Sequence, residues 1–224
     1  MQPMGARRNS LGGVLLDWAH GRHLHLWRVK RLGAILAPLI PLNADVLDVG
    51  CGDGRLAQAL CRQRPDIRLV GLDVFARPEG CVPVQVFDGL HIPMDARTFD
   101  LVMFVDVLHH SDRPASLLAE AARVSKGSVL IKDHLRQGIL AERRLRFMDW
   151  VGNARHGVRC PHTYFSQDEW LTVFERSTLG VKRWVMDLHL YPPPLDWVFG
   201  GSLQFVVLLC CPASTDGHFA RSYS

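Results

Sequence analysis

One stretch constrains the fold more than any other: Val46-Leu47-Asp48-Val49-Gly50-Cys51-Gly52-Asp53-Gly54. An apolar run opens into glycines at alternate positions, and Leu56, Ala57 and Leu60 then recur at helical spacing. Strand, glycine-rich turn and helix in that order begin a βα unit, and the glycines let the backbone bend and a ligand come close. A nucleotide-like ligand suits such a turn. The third glycine of a dinucleotide fingerprint would fall at Arg55, which removes the main support for a nicotinamide or flavin cofactor.

Later strands return polar groups to the same end of the sheet. Ile67 to Leu72 reads as a second strand ending on Asp73, and an acid about twenty residues past the turn can accept from both hydroxyls of a ribose. Read alone, Asp73 is equally a solvated carboxylate at a strand end. Val82 to Phe87 reads as a third strand, closed by Asp88-Gly89, where Asp88 is placed to accept from an adenine amino group. Phe99 to Val105 is nearly all apolar, which predicts a strand buried on both faces in the middle of a parallel sheet. Asp106-Val107-Leu108-His109-His110 follows at its carboxyl end, the edge where open α/β sheets bind ligands. Pro114 opens a helix that stops before Gly127, and Ser128 to Lys132 reads as a fifth strand that delivers Asp133-His134 to that edge.

At 224 residues the chain suits one α/β domain with additions. The expected division is a helical amino-terminal cap over 1–40, with two amphipathic helices broken near Gly21, and a main domain over 41–212. Within it, 135–165 reads as a lid: helical from Arg136 to Trp150, then a loop from Val151 to Gly157. Ser166 and Glu169 form a capping box ahead of a helix carrying Trp170, Leu171 and Phe174. Val181 to Leu190 and Leu203 to Cys211 read as two strands joined through Tyr191-Pro192-Pro193-Pro194, and 213–224 as a disordered tail.

No apolar run is long enough to cross a bilayer, and the first ten residues are polar and basic rather than signal-like, so a cytoplasmic address is expected. Six cysteines without a Cys-x-x-Cys pair look like small core residues in a reducing compartment. His20, His23 and His25 have no Cys or carboxylate set at ligand spacing, and no metal is expected. The net charge of +4 gathers in clusters such as Arg143, Arg144 and Arg146, which suit plain solvated helix faces or peripheral contact with an anionic membrane.

On these residues the chain resembles the class I S-adenosylmethionine-dependent methyltransferases, and most closely their small-molecule branch (methyltransferase type 11), which includes quinone-biosynthesis enzymes. The resemblance spans residues 40 to 210. It implies a Rossmann-like α/β fold: seven strands, mostly parallel with an antiparallel last strand, helices on both faces. It further implies S-adenosyl-L-methionine as cofactor, its methionine part held by Asp48, Gly50, Cys51 and Gly52, its ribose by Asp73 with Val74, and its adenine near Asp88 and Gly89. Val105 and Asp106 complete the set at the end of the fourth strand.

A methyl group on a sulfonium is electrophilic, so the protein must chiefly hold a nucleophile in line and exclude water. A hydroxyl acceptor also needs a base; His134 is the first candidate and His109 the second, with His110, Asp106, Asp133 and Tyr164 in reach of the same edge. The Asp-Pro-Pro-aromatic turn of amino-nitrogen methyltransferases is absent after Val105, and Asp133-His134 departs from the Asp-Asn pair of metal-assisted catechol methylation. Trp150, Phe147, Met148, His156 and Tyr164 suit a small aromatic or lipid-like acceptor, although Phe147 and Met148 serve equally to pack the lid. Nucleic acid is disfavoured by the lack of a basic stripe interleaved with aromatics. Methylation of RNA or protein, and a non-catalytic cofactor-binding partner, are the competing readings. Oxygen, carbon and nitrogen attack and any oligomeric state are compatible with the chain.

Overall fold

A computed structural model describes residues 22–75, 80–138, 140–153 and 164–211. The first of the two expected amino-terminal helices, most of the loop before Gly157, His156, the side chain of Trp150 and the tail from 213 lie outside the described residues or side chains.

Seven strands form one sheet: β1 (Asp45–Val49), β2 (Arg68–Asp73), β3 (Val84–Val86), β4 (Phe99–Val105), β5 (Ser125–His134), β6 (Gly180–Val185) and β7 (Gln204–Cys210). Their order is β3-β2-β1-β4-β5-β7-β6. The pairs among β1 to β5 are parallel, while β7 runs antiparallel to both β5 and β6. The last strand is therefore reversed, as the resemblance implied. The order changes direction between β1 and β4, so the loops leaving those two strands part and open a crevice at the carboxyl edge.

The helices are α1 (Arg22–Leu36), α2 (Arg55–Gln63), α3 (Pro114–Val124), α4 (Ala141–Asn153), α5 (Gln167–Arg176) and a short α6 (Leu195–Phe199). Because strand side chains alternate, each central strand feeds two cores. Val46, Leu101, Met103, Leu130 and Val206 meet Leu32 and Leu36 of α1 and Leu60 of α2 on one face. Leu47, Val102, Phe104, Val129 and Val207 meet Leu118 of α3 and Trp170 and Phe174 of α5 on the other. Two-sided burial is why these strands read as continuous apolar runs rather than alternating ones.

Three expectations about element limits need correction. β5 begins at Ser125, paired with Phe99 and before Gly127, rather than at Ser128, and its ladder takes in Asp133 and His134 as its last two residues. Pairing with β7 carries the ladder on, Asp133 opposite Phe205 and His134 opposite Gln204. The lid helix starts at Ala141, not Arg136, because Gly138 and Leu140 take positive φ and Arg136 is tied to Phe165 O through its backbone amide. β6 stops at Val185, since Asp187 and His189 also have positive φ, and α6 stands between β6 and β7 where a bare proline turn was expected. The capping box is present at α5: the Ser166 side chain accepts from Glu169 N, and the Glu169 side chain accepts from Ser166 N.

Candidate active site

At the carboxyl end of β1 the chain reverses through Gly50, with its amide and that of Cys51 donating to Leu72 O of β2. Gly50 has φ +75, and a β-carbon there would stand 2.3 Å from Val107 Cγ2, so neither the backbone nor the space admits a side chain. Gly52 differs. Its φ is +60, yet a β-carbon would meet nothing within 4 Å, so this glycine faces open space. Its amide donates to Asp73 Oδ2 at 2.8 Å, and Phe75 N donates to Asp73 Oδ1 at 3.1 Å. Asp73 is thus pinned by two amides with its carboxylate at the mouth of the turn. Cys51 is buried, close to the Gly71 backbone beneath the turn. Asp48 is buried behind it, and burial, reinforced by the Asp73 charge, pushes its carboxyl up to about 7.

Asp88 is exposed and turns back on its own loop: Oδ1 accepts from Leu90 N and His91 N at 2.7 Å each, and Oδ2 lies 3.0 Å from His91 Nδ1. These bonds, led by the His91 amide, hold its carboxyl down at about 2. A β-carbon on Gly89 would stand 3.2 Å from Val74 Cγ1, so the loops after β2 and β3 touch there.

Opposite, the ends of β4 and β5 bring a second group together. His109 and Asp133 are buried, and His109 Nδ1 donates to Asp133 Oδ1 at 2.6 Å. Leu108 N and His134 N donate to the same carboxylate at 3.0 and 2.7 Å. Burial opposes the Asp133 charge, but His109 outweighs it and the carboxyl falls below its ordinary range. The His109 ring lies 3.9 Å from that of His110, 4.6 Å from that of His134 and 6.3 Å from that of Tyr164. All the base candidates from the sequence therefore meet at one place. His134 is held by Trp170 Nε1, which donates to its carbonyl, while its own Nδ1 is buried without a hydrogen-bond partner. Burial, then His109 and Lys132, drive the His134 pKa well below the imidazole range, so its ring stays neutral.

Donor atoms of His109, Asp133 and His134 all lie within 4.8 Å of one another, a spacing a metal ion would accept. Both Asp133 oxygens are, however, already engaged by the three donors above, which makes the arrangement a hydrogen-bonded carboxylate–imidazole pair.

Asp106 takes a positive φ of 57° just past β4 and receives both the Arg28 guanidinium and the Lys132 ammonium. Burial works against its charge, and the cations of Arg28 and Lys132 overturn that, holding the carboxyl well below the usual range. Lys132 was not singled out from the sequence; the signal was a lone lysine between the apolar run Val129 to Ile131 and Asp133. Of the lid arginines, Arg144 donates to Trp197 O and Val198 O and clamps α4 to α6, and Arg146 pairs with Glu142 at 2.7 Å.

The fold is a doubly wound sheet with a glycine-rich turn at its switch point, an arrangement that suits a nucleoside-type cofactor. A family profile described as "Methyltransferase domain" matches residues 19–181, and the chain belongs to that family. It is an S-adenosylmethionine-dependent methyltransferase. The ubiquinone biosynthesis O-methyltransferase of Aliivibrio fischeri is 26% identical over 191 residues, covering 75% of this chain and 78% of that enzyme. A tRNA (carboxymethyluridine(34)-5-O)-methyltransferase of Schizosaccharomyces pombe is 28% identical over 75 residues; the match covers 32% of this chain and spans only 31% of that enzyme's length. Among solved structures, a methyltransferase from Haloferax volcanii in complex with the Trm112 methyltransferase activator superposes with a TM-score of 0.64 at 19% identity, over 91% of this chain and 97% of that one. That likeness concerns the fold.

Proposed function

We propose that this enzyme methylates a hydroxyl of a small aromatic or lipid-like acceptor, with His109 as general base. The observation that carries the reading is the buried 2.6 Å bond from His109 Nδ1 to Asp133. Donating through Nδ1 fixes the tautomer, so the lone pair sits on Nε2, the nitrogen that takes a proton. Asp133 remains ionised and stabilises the imidazolium that forms. Neutral His134 beside it adds no opposing charge. His109 thereby displaces His134, the first choice from the sequence, because the carboxylate orients His109.

In this reading the cofactor takes the opposite wall. Gly52 opens onto space and Asp73 presents a pinned carboxylate there. In this reading Asp48, Gly50, Cys51 and Gly52 hold its methionine part, Asp73 and Val74 its ribose, Asp88 and Gly89 its adenine, and Val105 and Asp106 line the approach. When bound, S-adenosylmethionine supplies a methyl group made electrophilic by its sulfonium. His109 Nε2 would take the proton of the acceptor hydroxyl, in surroundings from which buried His134 and Tyr164 exclude water.

His109→Gln and Asp133→Asn test this with labelled cofactor and a panel of phenols. Each variant should lose about 10²-fold or more of kcat, within the ~10²–10⁴ range for a positioned base, with affinity for S-adenosylhomocysteine unchanged. Wild-type turnover by His109→Gln would contradict the base; label entering bulk RNA instead of phenols would favour the RNA-directed alternative.

The lid also suits an anionic membrane surface, by a different means from an arginine cluster. Phe147 on α4 and Trp197 on α6 are 48% and 79% exposed, while Arg144 is bonded to carbonyls of α6 and Arg146 to Glu142. Trp197→Ser should therefore weaken binding to phosphatidylglycerol vesicles more than Arg144→Gln does.

A further inference from the structure

We propose that the chain pairs with a second copy of itself along the open edge of β3, joining the two sheets across a two-fold axis at Gln85. In a parallel sheet each crossover ordinarily lays a helix over a face, as α2 does between β1 and β2 and α3 between β4 and β5. Among the described residues no helix stands between β2 and β3 or between β3 and β4. Val70, Val74 and Phe75, on and just beyond β2, are exposed, and Val86 of β3 is 53% exposed. β3 also ends the sheet order, so no described strand pairs with its outer edge.

Main-chain groups alternate along a strand, and Phe87 N donates to Asp73 O on β2. Gln85 therefore faces β2 as well, while the amides and carbonyls of Val84 and Val86 point outward. Pro83 is in phase with Gln85, so the donor it lacks lies on the inner side and the outer edge stays intact. Edges are normally defended by charge, and β6 at the far end of the sheet carries exposed Lys182 and Arg183. From Val82 to Phe87 there is no charge at all. The stretch is also self-complementary. Antiparallel pairing about Gln85 sets Val84 opposite Val86 of the second copy and Val86 opposite its Val84, closing about four main-chain hydrogen bonds. Gln85 meets its own counterpart at a non-hydrogen-bonded position, and Asp88 falls opposite Val82 rather than opposite another Asp88, so no like charges are juxtaposed. This arrangement closes on itself, whereas pairing β3 with β6 would propagate into open filaments.

Sedimentation velocity on the full chain, over about a hundredfold range of concentration, should show one reversible step from 25.2 kDa to twice that mass. Val86→Lys, at an exposed position, should weaken the dimer by about tenfold or more while the melting temperature of the dilute protein holds. Val181→Lys on β6 should leave the dimer as it is. Residues directly opposite at a non-hydrogen-bonded position have α-carbons about 4.5 Å apart, within reach of a disulfide. Gln85→Cys should therefore cross-link into a covalent dimer on mild oxidation, where the wild type does not. A monomer at every concentration would assign the edge to a different protein and reject self-pairing. A dimer that withstands Val86→Lys, or one that Gln85→Cys fails to cross-link, also overturns the proposal, as does assembly beyond two copies.

Discussion

Gly52 and Asp73 stand 21 positions apart and are joined by one 2.8 Å bond, so a change at either reaches the wall proposed to hold the cofactor. Gly52→Val places a branched side chain at φ +60 and fills the open space, with a backbone penalty of about 1–2 kcal/mol before any clash with ligand. S-adenosylhomocysteine affinity should fall at least tenfold by calorimetry, with little loss in thermal stability beyond that penalty. The glycine turn was legible because its chemistry is local: strand, turn and helix are contiguous. The His109–Asp133 bond was not, since it joins residues 24 apart, one in the turn after β4 and one at the end of β5, whose relative placement no local pattern states. Each residue could be placed at the carboxyl edge, but which histidine the carboxylate faces is decided by the 3-10 turn Leu108–His110 and by donation from Leu108 N.

Elements differ in how far their own residues specify them. The start of α5 is set by Ser166 and Glu169 alone, so Ser166→Ala should cost about 1 kcal/mol, read as a lower denaturation midpoint with an unchanged slope. α1 is held by what it buries: Leu32 and Leu36 are inserted against Val46, Leu60 and Leu190. Leu36→Ala should therefore cost about 2–5 kcal/mol. That loss would show α1 to be integral to the core on which Arg28 depends. The least legible element was α6, too short for a helical period to register and masked by the prolines before it. At the carboxyl end of β5 the polar run Lys132, Asp133 and His134 stays within the strand because each finds a partner: Asp106, His109 and the Trp170 indole.

At the scale of the whole molecule, the proposed reading puts two jobs on either side of the switch point, the cofactor on the β1–β2 side and the acceptor on the β4–β5 side. The cofactor side carries a pH signature. Asp48 has a folded pKa raised from 3.8 to about 7, so between about pH 4 and 7 the folded chain holds a proton that the unfolded chain has released. Stability contributed by that protonated carboxyl is present at the acid end of the window and lost as pH rises through it, by a few kcal/mol in all. Asp48→Asn should therefore be more stable relative to wild type at pH 8 than at pH 5, measured as the difference between the two midpoints at each pH. Among the described residues, no helix is long and apolar enough to cross a membrane. The turn at Gly50 to Gly54, with Asp73, is the proposed seat of S-adenosylmethionine. Calorimetric titration of the full chain with S-adenosylmethionine and S-adenosylhomocysteine tests it most directly. One saturable site for each, weakened together in Gly52→Val, is the predicted result; no heat at millimolar ligand, or unchanged affinity in the variant, would contradict it.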